Sequence, residues 1–428
     1  MSKIAVIGTG YVGLTTGACF AHLGHDVVCA DIDADKVERL SRGEVPILEP
    51  RLDELVREGL AAGRLSFVVG AANAARDAEF AYLCVPTPQS PDGSADLSFI
   101  EGAAREIAPV LPDEAVVVNK STVPVGSTRA VERVMKRADV RVVSNPEFLR
   151  EGWAVHDFLN PDRIVIGSED QAAAIKVSSL YLRVQAPTIV TDPATAETIK
   201  YASNAFLATK ISFINAMTAV CEAVGADIND VVLGMGYDKR IGFEFLKPGP
   251  GWGGSCLPKD LRAVIHSAQT RGYEFDMLRS VVEVNDQQFE RVVDKVAAAV
   301  DGKLDGVTVA AWGLTFKANT DDLRESPALE IIGRLRARGA KVQAYDPAVP
   351  STREVAELEG IAVHDDPFAA CQGADVLAVL TEWDEFRFVD LDKVREAMSG
   401  AAVVDARNLL DRTALQRRGF TYDGLGRV

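Results

Sequence analysis

Residues 3–31, KIAVIGTGYVGLTTGACFAHLGHDVVCAD, decide the fold. Residues 3–8 form a short apolar run that ends in glycine. Residues 13–24 follow helical spacing and stop at Gly24, and a second apolar run, 27–30, is closed by Asp31. The pattern is strand, helix, strand, one βαβ unit. At its first turn stands G-T-G-Y-V-G (8–13), immediately after the strand and opening the helix. Gly8 suits a tight turn, Gly10 admits a pyrophosphate against the backbone, and Gly13 lets helix and strand pack closely. The helix N-terminus, starting near Tyr11 and Val12, offers unpaired N–H groups and partial positive charge to phosphates. Asp31 can accept from both ribose hydroxyls and would repel a 2′-phosphate, which favours NAD over NADP. The alternative is a plain βα turn with a strand-end aspartate.

Further strands are expected at 80–85, 115–119 and 141–143, with helical stretches between them. Such alternation implies a parallel, doubly wound sheet, assigned to a domain of residues 1–192. Asp192 then makes a good N-cap and Pro193 suits a first helical position. No breaker follows until about residue 224. A helix of about 30 residues spans roughly 45 Å, enough to link two domains. Being apolar nearly all round, it is expected to be buried, partly against another subunit. Helices near 227–235, 259–271 and 276–300 complete a central helical domain, 193–302, with a glycine-rich loop at 247–254. The final part, 303–428, repeats the opening pattern: strands at 307–312, 341–345, 375–380 and 401–405, and a helix capped by Ser326 and Pro327 that ends at Gly339. It carries no G-x-G-x-x-G, so it should hold something other than a dinucleotide pyrophosphate. The expected class is α/β: two Rossmann-like doubly wound domains joined by a long central helix and a helical domain.

Composition agrees. A chain of 428 residues allows about three domains. Hydrophobic residues at 47% and charged residues at 25% are ordinary globular usage. Lys plus Arg number 46 against 62 Asp plus Glu, a net charge of −16. That excess repels nucleic acid and anionic membrane, so neither is an expected partner, and an anionic substrate must rely on a few local cations. The six cysteines form no C-x-x-C pair and the five histidines are scattered. No metal site is expected, and the cysteine usage fits a reducing compartment. The Met-Ser-Lys start has no signal-peptide layout. Residues 201–221 carry Asn204, Lys210 and Asn215, too polar for a lone membrane span. A cytoplasmic protein is expected.

The segment 247–260, KPGPGWGGSCLPKD, carries chemistry. Its glycines allow the backbone to wrap a ligand, and Pro258 fits the start of a following helix. Cys256 then sits just ahead of a helix N-terminus with Lys259 nearby, and both features stabilise a thiolate. That is the setting of a nucleophile, although a cysteine in a turn can also be inert. Beside a nicotinamide, such a cysteine can trap an aldehyde as a thiohemiacetal and carry it to a thioester. The other five cysteines lie in apolar contexts and read as core.

Several motifs recur in one order: GTGYVG, VPTP (85–88), KSTVPVG (120–126), NPEFLREG (145–152), KYASNAF (200–206), GGSCLPKD (253–260) and FKANTDDLRES (316–326). Together they resemble the nucleotide-sugar 6-dehydrogenases, the UDP-glucose/GDP-mannose dehydrogenase family, over essentially the whole chain. Trp252 stands where the family commonly has Phe or Tyr. The resemblance implies a four-electron oxidation of UDP-glucose to UDP-glucuronate with two NAD. It makes Cys256 the nucleophile, Lys200 and Asn204 the pair that stabilises an oxyanion at C6, Asp260 and Thr122 the holders of a catalytic water, and Glu147 an acid–base. Spacing alone also puts Lys200 and Asn204 on one helical face. Three of these have a bland alternative: Lys200 as a surface lysine at a helix start, Asn204 as an interhelical hydrogen bond, and Asp260 as first-turn dipole stabilisation.

By the same resemblance Lys36, Thr87, Thr122, Glu151, Lys259 and Arg324 face the cofactor with the glycine motif and Asp31. The UDP-sugar would be lined by Glu147, Phe148, Leu149 and Arg150, by Lys200 and Asn204, by Phe245, Leu246, Lys247, Pro248, Gly249 and Gly253, and by Phe316, Lys317 and Arg407. Arg240 would reach a neighbouring subunit's site in a homodimer. A lone surface cation is usually just solvated, but Lys317 and Arg324 follow a strand of the last domain, where ligands bind. The rivals are a sister enzyme acting on GDP-mannose or a UDP-N-acetylhexosamine, and a non-catalytic sensor of NAD and nucleotide sugar.

Overall fold

The computed structural model describes residues 1–90 and 94–427. The chain divides into two compact units, Met1–Ser203 with Arg262–Ser267, and Asn204–Leu261 with Ala268–Val428. The first unit is built on an eight-stranded sheet. Its strands are β1 (Lys3–Ile7), β2 (Asp26–Asp31), β3 (Leu65–Val69), β4 (Phe80–Leu83), β5 (Val116–Asn119), β6 (Arg141–Ser144), β7 (Ile164–Gly167) and β8 (Thr188–Thr191). They lie in the order β3-β2-β1-β4-β5-β6-β7-β8. The first six are parallel in the doubly wound 3-2-1-4-5-6 order. Strand residues alternate between the two faces of the sheet. Val6, Val116 and Val118 face a core with Leu14, Phe20 and Tyr82. Ala5 and Val117 face the opposite core with Ile100 and Val131. Burial on both faces explains why these strands are continuous apolar runs.

Two expectations are corrected here. The sheet is not wholly parallel, because β7 meets β6 antiparallel at Ser144 and Gly167. The strand set was also incomplete, since β3, β7 and β8 went unmarked. β3 alternates buried and exposed residues, and β8 is an exposed edge strand, TIVT. Neither resembles the apolar runs that marked the others, whereas β7, IVIG, is such a run and was passed over.

The second unit carries six strands: β9 (Thr308–Trp312), β10 (Lys341–Tyr345), β11 (Ala362–His364), β12 (Val376–Val379), β13 (Ala402–Asp405) and β14 (Thr421–Gly424). Their order is β11-β10-β9-β12-β13-β14, parallel throughout, again the 3-2-1-4-5-6 pattern. β11 and β14 are short or polar and escaped the sequence pattern. Ser326 does precede the helix Pro327–Ala337, but its hydroxyl makes no cap. It donates instead to Leu314 O at 2.7 Å, tying the helix start to the loop after β9.

The helix Pro193–Val224 is 32 residues long, and Asp192 caps it through Thr195 N–H at 2.9 Å. Within its own chain the helix is buried only in part. Ile214 and Cys221 are buried in a small core with Ile228 and Leu246. Phe206, Phe213, Val220 and Val224 are 49–69% exposed. By length and composition alone this helix could cross a membrane.

Candidate active site

In the first unit, β1 delivers the chain to the G-T-G-Y-V-G turn, and Gly10 precedes the helix Tyr11–His22 with no side chain capping its N–H groups. The close approach needs Gly13: a Cβ there would lie 1.9 Å from Gly8 O. At Gly10 a Cβ would meet nothing within 4 Å, so the backbone there borders open space. A bare helix N-terminus facing open space fits a dinucleotide pyrophosphate. Asp31, at the end of β2, accepts from Thr9 N–H at 3.1 Å, from the Thr9 hydroxyl, and from Lys36 Nζ at 3.1 Å. Half-burial raises this carboxyl, but Thr9, Lys36 and the Asp33 N–H outweigh it and hold Asp31 at about 2. It therefore stays anionic at any working pH, as ribose recognition requires.

The carboxyl ends of β4, β5 and β6 gather a polar cluster. Thr87 donates to Thr122 O at 3.0 Å, both residues being buried. Glu147, after β6, is 5% exposed and meets Lys200 Nζ, 4% exposed, at 2.9 Å. Its other oxygen accepts from Leu149 N–H at 2.6 Å. Burial pushes the Glu147 carboxyl up, but Lys200, the Leu149 N–H and Lys120 together hold it below the usual carboxylate range. Phe148 lies under two cations, Arg163 at 3.7 Å and Lys200 at 5.4 Å from its centroid. Arg150 pairs with Asp157 at 2.6 Å, and Glu151 is partly buried.

In the second unit Cys256 immediately precedes the helix Leu257–Gln269, with Asp260 N–H on Cys256 O at 3.0 Å. It is partly exposed, whereas the other five cysteines are buried. Burial raises all five thiols, Cys84 and Cys371 to about 12. Those five are inert core, and Cys256 is the thiol with both access and a helix N-terminus. Asp260 is 1% exposed, accepting from Asn204 Nδ2 at 2.6 Å and pairing with Lys259 at 2.7 Å. Lys259 thus directs its ammonium to Asp260. Ser255 Oγ lies 3.5 Å from the thiol.

The glycine loop is held rigidly. Asn285 bonds both backbone groups of Trp252, at 2.8 and 2.9 Å. Gly249 N–H meets Asn215 Oδ1 at 2.9 Å, and Gln288 donates to Gly249 O at 2.8 Å. Gly254 adopts φ +82°, and a Cβ there would strike the Phe316 ring at 2.7 Å. Leu246 is buried and Lys247 exposed; Phe245 takes φ 61°.

The cations of the last sheet sort differently. Arg407 donates to Leu380 O at 2.9 Å and Phe316 O at 3.4 Å, pairs with Glu382 at 2.9 Å, and lies beside Gly249. Lys317 sits 5.3 Å from the Phe316 ring centroid. Arg324 and Arg240 are exposed and pair locally with Asp322 and Asp238, each at 2.6 Å. Asp346 ends β10 as Asp31 ends β2, but it is 2% exposed. Its Oδ2 already accepts from Leu314 N–H, Thr315 N–H, the Thr315 hydroxyl and Trp383 Nε1, at 2.7–3.1 Å. Buried this deeply, the carboxylate is out of reach of a ribose, in keeping with the missing glycine motif.

Sequence reasoning missed several residues that shape these clusters. Glu49 bonds Tyr11 and accepts from Gly152 N–H at 2.7 Å. Glu197 caps the helix Ser127–Met135 through Gly126 N–H and Thr128 N–H, at 2.6 and 2.9 Å. Lys120, Asn145 and Tyr181 form a buried network. Lys120 and Asn145 lie inside quoted motifs, and charged or amide residues at strand ends were the available signal. Tyr181 and Glu197 gave none.

Comparison with known proteins agrees along the chain. Residues 2–185 match the NAD binding domain of the UDP-glucose/GDP-mannose dehydrogenase family, 194–287 its central domain and 310–412 its UDP binding domain. The UDP-glucose 6-dehydrogenase of Rhizobium meliloti is 46% identical, covering 99% of both chains. A UDP-glucose dehydrogenase structure from Pyrobaculum islandicum superposes with TM-score 0.90 at 38% identity, over 100% of this chain and 98% of the other. A UDP-D-ManNAc dehydrogenase structure from Pyrococcus horikoshii gives TM-score 0.88 at 28% identity, over 99% of each. With its NAD-type dinucleotide turn, its cysteine at a helix start and this agreement over all three parts, the chain belongs to the UDP-glucose/GDP-mannose dehydrogenase family and is an NAD-dependent oxidoreductase.

Proposed function

We propose that this protein oxidises UDP-glucose to UDP-glucuronate, with Cys256 holding the C6 carbon between the two oxidations. The observation that carries this is Cys256 itself: the one partly exposed thiol, ahead of a helix N-terminus, followed by a buried Asp260 braced by Asn204. The glycine turn, Asp31 and Lys36 would hold NAD, which supplies the hydride acceptor for both oxidations. Cys256 adds to the C6 aldehyde as a thiohemiacetal, and loss of a second hydride leaves a thioester. Water then cleaves the C–S bond, returning the thiol and releasing the acid. Lys200 and Asn204 stabilise the oxygen anion at C6. Asp260 and Thr122 hold the water, and Glu147 moves its proton. Arg407, Lys317 and the 245–249 backbone hold the UDP-sugar, with Phe148, Leu149 and Arg150 beside it, while Thr87, Glu151 and Arg324 face the cofactor. The domain division 1–192, 193–302 and 303–428 follows the same reading.

Identity favours glucose over the acetamido sugars: 46% to the Rhizobium meliloti enzyme against 28% to the UDP-D-ManNAc enzyme. The test is NADH formed per UDP-glucose consumed, with GDP-mannose and UDP-N-acetylhexosamines assayed beside it. A ratio of two with UDP-glucose preferred is expected. A ratio of one, or preference for another sugar, overturns the assignment.

The protein is further proposed to be a cytoplasmic homodimer. Phe206, Phe213 and Val220 stand seven residues apart on the long helix and are exposed together, an apolar stripe suited to a second copy rather than to solvent. Arg240 would then serve the neighbouring site. Phe213→Asp should halve the mass seen by sedimentation from twice 46.0 kDa and abolish turnover, and an unchanged dimer would count against this face.

A further inference from the structure

One buried cation has no task in the chemistry above. Lys120 follows β5 and is 5% exposed. Its Nζ donates to Asn145 Oδ1 at 3.2 Å and to Tyr181 OH at 3.5 Å, and the Tyr181 hydroxyl donates to the same Oδ1 at 2.6 Å. The rings of Phe158 and Tyr181 lie 5.9 Å from the ammonium. Asn145 is itself fixed: its N–H meets Asn119 O at 2.9 Å and its Nδ2 meets Val165 O at 2.8 Å. Two residues on, Glu147 grips Lys200. A buried ammonium with neutral acceptors is costly unless a carboxylate offsets its charge.

We propose that Lys120 is a positioning residue for Glu147: clasped by Asn145 and Tyr181, it sets a second positive charge behind the turn at 145–147 and so fixes that carboxylate against Lys200. The proposal deepens the proposed function and rests on the acid–base role given there to Glu147.

The charged and titratable groups around this point come from four elements. Lys200 lies on the long helix, Cys84 follows β4, and Tyr82 on β4 and Tyr181 are buried phenols. Burial pushes Cys84 to about 12 and both phenols upward, so all three stay neutral. Glu147 is therefore the anion that acts on Lys120. Burial pulls Lys120 down to about 8, with Glu147 opposing that fall. Below that pH Lys120 is charged, helping to keep Glu147 ionised at the acid end and to hold it against Lys200; above it the carboxylate stays ionised but loses that hold.

The test compares Lys120→Met, Lys120→Arg and Glu147→Gln with the parent enzyme, reading initial rates of NADH formation from UDP-glucose at saturating NAD from about pH 3.5 to about pH 10. Lys120→Met should lower kcat about tenfold with little change in KM. Its acid limb should move up by about one pH unit, and the break near pH 8 should vanish. Lys120→Arg, which restores a charge that does not titrate here, should return the acid limb without the break. A Lys120→Met profile superimposable on the parent, beside a crippled Glu147→Gln, overturns the proposal alone. Parent-like turnover in Glu147→Gln overturns the role of Glu147 and this proposal with it. If Lys120→Met does not fold, Tyr181→Phe removes one acceptor from the ammonium at nearly constant volume. The break should then fall below pH 8, and an unmoved break overturns the assignment.

Discussion

Cys256→Ser is expected to abolish steady production of the acid, by at least about 10³-fold, in keeping with the loss seen when a covalent catalyst loses its nucleophile. The physical reason is the difference between sulfur and oxygen. Sulfur is the better nucleophile, and a thiol gives up its proton far more readily than a serine hydroxyl in the same place. An oxygen ester, if formed, also yields to water more slowly than a thioester. The variant should bind NAD as before, because the dinucleotide turn lies in another part of the chain. On mixing with UDP-glucose and NAD it should release at most about two NADH per protein and then stall, at the first oxidation or at an ester on residue 256. Absorbance at mixing, followed by mass measurement of the denatured protein, distinguishes these stages. Sustained acid formation at the parent rate would remove Cys256 from the chemistry.

The second large effect concerns Lys200. In Lys200→Met the Glu147 carboxylate keeps its burial and loses its partner at 2.9 Å. Breaking a buried pair from one side costs about 3–5 kcal/mol. Denaturant unfolding should show that loss at neutral pH. The sign with pH follows from Glu147, whose carboxyl is held below its ordinary range in the folded protein. A depressed carboxyl contributes stability above its unfolded value, and that contribution fades as pH falls through the folded one. The parent should therefore lose this contribution below about pH 4. In the variant, burial raises Glu147 instead, so the deficit should shrink as the medium is acidified and the carboxyl becomes neutral. Lys200→Met with Glu147→Gln should recover much of the stability without recovering turnover. A deficit that is flat with pH, or a double variant no better than the single one, would show that the pair is not what stabilises this region.

Burial accounts for most of what the sequence disclosed of the fold, with β7, a buried apolar run that was passed over, as the exception. β1, β4 and β5 are buried on both faces, so they had to be apolar runs, and they stood out. β8 has exposed residues along its length and β11 has no fully buried one, so selection for burial left no pattern to read. The long helix was legible in extent, since Asp192 and Pro193 start it and nothing breaks it. Its exposed phenylalanines looked the same as buried ones, because residue type alone does not tell a helix face packed on its own chain from one left open.

The candidate site divides in the same way. Glycines at 8, 10 and 13, Asp31 at a strand end, and Cys256 ahead of Pro258 are local facts: each depends on backbone geometry within a few residues, and the amino acids alone disclose it. The pairing of Glu147 with Lys200, of Asp260 with Asn204, and of Lys120 with Tyr181 joins residues 53, 56 and 61 positions apart. Those partnerships, and the contrast between a partly exposed Asp31 and a buried Asp346, arise from burial and long-range packing, which no spacing along the chain encodes.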